Sequence, residues 1–143
     1  MSRSSTKKFS ANEKEIAELL EENQEWGEDM SYAAEEINFF NLFLTGDIFK
    51  KNVLNLYERL RLLSDELEDL KSENRELSRE VHNHRYDIEG MLECEDIGCE
   101  VFYHEQYLKL GQRIINFTQR FRDFKLQVYS HTGHLLRKSS KEH

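Results

Sequence analysis

From Phe49 to Met91 the chain carries thirteen positions at alternating three- and four-residue spacing, and eleven of them are apolar. Such phase, held without a skip, fits an amphipathic helix and excludes the two-residue alternation of a half-buried strand. The stripe runs through Leu56, Leu60, Leu63, Leu67, Leu70, Asn74, Leu77, Val81, His84 and Ile88. At about 1.5 Å per residue the helix it predicts is roughly 65 Å long. A helix with one apolar stripe cannot bury it alone, so partners of matching length are required.

Two further stripes supply them. The first reads Ile16, Leu19, Asn23, Trp26, Met30, Ala33, Ile37, Phe40 and Leu44; Gly27 falls between stripe positions without shifting the phase. The third reads Tyr103, Tyr107, Leu110, Ile114, Phe117, Phe121, Phe124, Val128, His131 and Leu135. The chain contains no proline, so nothing forces these helices to break. Gly46 before Asp47, and Gly98 within the Glu93–Glu100 stretch, are the expected turns: a left-handed glycine ending one helix and an Asp cap beginning the next. Short turns make successive helices antiparallel neighbours. The expected fold is therefore all-α, an elongated antiparallel three-helix bundle with coiled-coil-like packing. It spans 11–136, with helices at about 11–45, 47–92 and 101–134, between polar disordered tails at 1–10 and 137–143.

Centring the turns sets a register in which first- and second-helix partners sum to about 93, and second- and third-helix partners to about 195. Trp26 then faces Leu67 and Val128, Glu22 faces Lys125, His84 faces Tyr107, and His131 lies near Met30 and Leu63. Asn23 and Asn74 fall in adjacent layers, where two buried amides can satisfy each other and fix register.

Charge limits the partners. The net charge is −8, which disfavours phosphate contacts and so a general nucleic-acid binder. It is uneven: 11–45 sums to −9, 46–100 to −7 and 101–143 to +5, with +3 in the first ten residues. An acidic first helix beside a basic third one favours closure of a single chain on itself. No apolar run reaches the roughly 20 residues of a membrane span, and the first ten residues lack the apolar core of a secretory signal. A cytoplasmic protein is the expectation, with Cys94 and Cys99 as two semi-buried thiols.

Chemistry is scarce. No Glu stands three residues before a His, so the paired Glu-x-x-His di-iron set is absent; so are phosphate loops, nucleophile elbows and zinc-protease motifs. No catalytic residue and no cofactor are expected. Cys94, Cys99 and His104 at C-x4-C-x4-H, with His82 near, are a loose match to a zinc set or a reversible disulfide. That makes a small metal- or redox-responsive protein the alternative to the leading expectation, a non-enzymatic helical interaction or scaffold protein. Residues flanking the stripes would remain outside a thin bundle: Leu20, Phe39 and Phe43 on the first helix, Leu54 and Leu62 on the second, Leu108 and Ile115 on the third. Phe39, Phe43 and Leu62 are the candidate surface for a protein partner or for self-association.

The stretch Trp26 to Leu44, with Glu36-Ile37-Asn38-Phe39-Phe40 at its centre, resembles short, uncharacterised bacterial helical proteins, as do Leu77 to His84 (LSREVHNH) and His104 to Tyr129. The resemblance implies a three-helix, coiled-coil-like fold with no assigned activity.

Overall fold

The computed structural model describes residues 13–46 and 55–133. The chain is all-α: three helices pack against each other, with no strand among the described residues. They are α1 (Glu13–Thr45), α2 (Leu56–Gly90) and α3 (Ile97–Thr132), with a single 3-10 turn, Met91–Glu93, after α2. α1 is one helix through Gly27. No helix among the described residues is long and apolar enough to cross a membrane.

The helix ends differ from expectation. Gly46 does not take a positive φ; among the described residues only Asn55 does, at 63°. Asparagine tolerates this region better than other residues bearing a Cβ. Asn55 stands immediately before α2, and its carbonyl accepts the first helical bond, from Arg59 N–H at 3.0 Å. The expected cap Asp47, the stripe residues Phe49 and Val53, flanking Leu54, Leu135 and both expected tails lie outside the described residues. α3 begins at Ile97 instead of about 101, so Gly98 sits in its first turn. Asp96 caps it: its Oδ1 accepts the Cys99 backbone N–H at 2.8 Å, satisfying one orphan donor of the helix start.

The contacts divide into two compact units. The first joins 13–32 with Arg75–Asn116, the second 33–46 and 55–74 with 117–133. In the first, the buried side chains are Ile16, Asn23, Met30, Leu77, Val81, His84, Ile88, Met91, Cys94, Leu110 and Ile114. In the second they are Ala33, Ile37, Phe40, Leu44, Leu56, Leu63, Leu67, Leu70, Asn74, Phe117, Phe121, Phe124, Val128 and Thr132. The described stripe positions form these cores, with Leu19, Trp26, Leu60, Tyr103 and Tyr107 half-buried at their edges and one exposed exception at the end of α3. His131 is exposed, and Thr132 takes the buried place, its hydroxyl donating to the Val128 carbonyl. Phe40 meets Phe121 and Phe124 edge-on, at centroid distances of 6.3 and 5.7 Å, the arrangement ring quadrupoles favour.

The first-to-second helix register is corrected. Asn23 meets Val81, whose numbers sum to 104, about three turns from the expected 93. Trp26 packs on His84, Tyr107 and Gly111 instead of Leu67 and Val128. Lys125 pairs with Glu36 at 3.1 Å instead of with Glu22. Asn23 is satisfied by backbone, its Nδ2 donating to the Val81 carbonyl at 3.0 Å, not by the side chain expected for it. The second-to-third register agrees with expectation: His84 stacks on Tyr107, and Arg113 reaches Glu76 and Glu80 at 2.9 and 2.6 Å. The basic residues of α3 thus serve α2 as well as α1, since Arg120 also bonds Glu66 at 3.0 Å. Exposed pairs of this kind contribute about 0–1 kcal/mol each.

Candidate functional site

The surface residues singled out from the sequence come first. Phe39 is 59% exposed and Leu62 is 64% exposed, while Phe43 is half-buried against Leu56 and Leu60. Phe39 stacks on Phe43 at 5.9 Å and meets Phe40 edge-on at 5.4 Å; Phe40 in turn lies 6.1 Å from the exposed ring of Tyr129. Four rings therefore run without interruption from α1 to α3 in the second unit, and Phe40 anchors the exposed ones in the core. Leu42, beside them on α1, is exposed too. Aromatic rings fixed in this way lose little freedom when a partner covers them.

At the α2–α3 turn, Cys94 and Cys99 are joined as a disulfide, which corrects the expectation of two separate thiols. The bond ties the segment after α2 to the first turn of α3. Cys94 is brought there by the 3-10 turn, where its N–H donates to the Met91 carbonyl, and Cys99 by the Asp96 cap. His104 is exposed and tilts over Tyr107 at 5.8 Å; His82 meets Tyr86 edge-on at 5.9 Å. The four residues do not converge, and no group of three metal-ligating side chains gathers among the described residues.

Sequence reasoning set His84 against Tyr107 but missed the rest of an assembly in the first unit, Trp26 and Glu22. Trp26 and Tyr107 stack at 5.6 Å and 21°, and His84, only 4% exposed, stacks on the other ring system at 6.1 Å and 20°. The Tyr107 hydroxyl donates to Glu22 Oε1 at 2.5 Å. Accepting that bond, Glu22 stabilises the neutral phenol; together with partial burial and the carboxylate's charge this pushes the Tyr107 pKa up to about 12. Burial holds His84 below its usual value, opposed by the nearby charges of Asp87 and Glu22. Its Nε2 has no hydrogen-bond partner among the described residues. The signal for this assembly was present in the polar and aromatic residues at stripe positions 26, 84 and 107, but it required the correct register.

A second surface lies on α3 of the first unit. Ile97, Val101, Leu108 and Ile115 are 56, 48, 55 and 51% exposed. Their spacing puts them on one side of the helix, opposite the side that buries Leu110 and Ile114.

No family model matches the chain, and no curated protein or solved structure matches it either.

Proposed function

We propose that the chain is a non-enzymatic helical interaction or scaffold protein that docks a protein partner through Phe39, Phe43 and Leu62. The observation that carries this reading is the continuous run of rings Phe43–Phe39–Phe40–Tyr129, exposed at Phe39 and Tyr129 and fixed from below by the core. Exposed apolar side chains in one contiguous, rigid patch are characteristic of partner sites. The net charge of −8 favours a protein over a nucleic acid. Photo-crosslinking from position 42, exposed beside the rings, in living cells of the source, followed by purification, tests it. One protein captured by the wild type, lost with Phe39→Glu and retained with the control Tyr57→Glu, supports the reading. Identical capture by all three overturns it.

The Cys94–Cys99 disulfide favours a second reading, a redox-responsive protein acting at the α2–α3 turn. In the cytoplasm, where we place the chain, thiol buffers keep such pairs reduced, so a disulfide there is a transient or sensing one. Trapping free thiols in intact cells before and after oxidant treatment distinguishes a cycling pair from a fixed one.

A further inference from the structure

We infer that the outer face of α3 in the first unit binds a second copy of this chain, the two α3 helices lying antiparallel about a two-fold axis at Leu108. This rests on the reading of the chain as an interaction protein and assigns it a partner. A helix in a small bundle needs one apolar side, yet α3 has two: Leu110 and Ile114 face the core while Ile97, Val101, Leu108 and Ile115 face out. Val101, Leu108 and Ile115 are seven residues apart, and Ile97 precedes Val101 by four. A seven-residue spacing keeps these side chains on one side of the helix over several turns, as a single position of a heptad seam does. From Ile97 to Ile115 it extends about 27 Å.

The spacing also selects the partner. The stripe is symmetric about Leu108, so an antiparallel copy centred there sets Val101 against the second copy's Ile115, Leu108 against Leu108, and Ile115 against Val101. A two-fold contact of this kind brings the same flank of each helix together, residue i meeting j and j meeting i. The flank holding Glu105 also holds Lys109, one turn further on. In the centred register Glu105 of each copy comes beside Lys109 of the other, so the contact is self-complementary in charge as well as shape. Both residues are exposed, and neither takes part in an ion pair among the described residues. The seam is short, so the pairing belongs with the weaker, concentration-dependent interfaces.

Sedimentation equilibrium of the full chain, with Cys94 and Cys99 left as they are, tests the inference. The wild type is expected to show a reversible monomer–dimer equilibrium at concentrations on the order of 100 µM or below. Leu108→Glu should weaken it by roughly tenfold or more, with helical content unchanged because the side chain is half exposed. Glu105→Lys and Lys109→Glu should each weaken it, and the two together should restore it. Leu108→Cys should cross-link two copies on mild oxidation, while Lys71→Cys should not. A wild type monomeric throughout, or a dimer indifferent to Leu108→Glu, overturns the inference. A dimer lost with Phe39→Glu but not with Leu108→Glu also overturns it, yet leaves the interaction-protein reading standing. Capture from position 42 that is identical in the wild type, Phe39→Glu and Tyr57→Glu, beside a dimer that Leu108→Glu still weakens, sinks that reading and leaves this one.

Discussion

Two glycines inside helices allow the close packing around Trp26 to be tested with a single added methyl group. Replacing a helical glycine by alanine favours the helix by about 1 kcal/mol, chiefly by restricting the unfolded chain. Whether the gain is realised depends on what the new Cβ meets. At Gly27 the nearest atom is Val81 Cγ1 at 3.8 Å, an ordinary van der Waals contact. Gly27→Ala should therefore keep the full gain and raise Tm by about 4 °C for a chain of this size. At Gly111 the Cβ falls 3.4 and 3.5 Å from Trp26 Cζ2 and Cη2. That ring is held in its stack with Tyr107 and has little room to yield. These distances stand at the tight edge of van der Waals contact, so crowding should offset part of the helical gain and leave Gly111→Ala less stabilising than Gly27→Ala. Thermal unfolding followed by circular dichroism at 222 nm compares the two variants. Trp26, the chain's one tryptophan, reports the local effect: its emission should shift in Gly111→Ala and stay fixed in Gly27→Ala. If Gly27→Ala lowered Tm, or Gly111→Ala raised it as much, the register that brings α1 onto Val81 and Gly111 would be refuted.

Leu67→Asp should be among the most damaging single changes, because it places an unpaired carboxylate at a position only 2% exposed; an unchanged melting curve at neutral pH would contradict the core assignment. In an absorbance titration at 295 nm, one of the six tyrosines should ionise late, near 12, and Glu22→Gln should bring it back toward the others. Because the folded pKa of Tyr107 is raised, the small stability tied to its neutral form is complete below about 10 and is lost as pH rises toward about 12. His84 has the opposite sign: its folded pKa lies below 6.5, so stability is complete above 6.5 and declines as pH falls through the folded value. The wild type should lose melting temperature on acidification below 6.5 with quenching of Trp26, 6.2 Å away, and His84→Phe should show less of both; equal pH slopes would refute the assignment.

The three stripes were legible because burial of one helical side imposes a period that survives any choice of partner. Register was legible only where the connection was. Between α2 and α3 the chain reverses within a few residues, and the match of His84 to Tyr107 followed. Between α1 and α2 the expectation rested on Gly46 and Asp47, whereas the positive φ falls on Asn55. With Asn23 set against Val81, Trp26 meets a different part of both neighbours. Asn23 illustrates a second limit. A helical carbonyl that already accepts one bond has a lone pair to spare, so the Val81 backbone can satisfy a buried amide without any matching side chain in the sequence. The cysteines illustrate a third: a five-residue separation permits a disulfide, but only the 3-10 turn and the Asp96 cap bring the two together.

Periodicity has a further limit that bears directly on function. A seam facing the chain's own core and a seam facing another molecule use the same residue types at the same spacing. α3 carries one of each, and hydrophobicity does not separate them. The flanking charges do. Beside the inward seam they are committed: Arg113 to Glu76 and Glu80, Arg120 to Glu66, Lys125 to Glu36. Beside the outward seam Glu105 and Lys109 form no such pair among the described residues. Unpaired charges on one flank of a seam add little by themselves, since exposed pairs are weak. In the proposed two-fold contact at Leu108, however, Glu105 of each copy comes beside Lys109 of the other, which favours the antiparallel pairing over a parallel or shifted one. The distribution of used and unused charge, read after the register is known, is what supports the proposal that this second apolar stripe faces another copy of the chain.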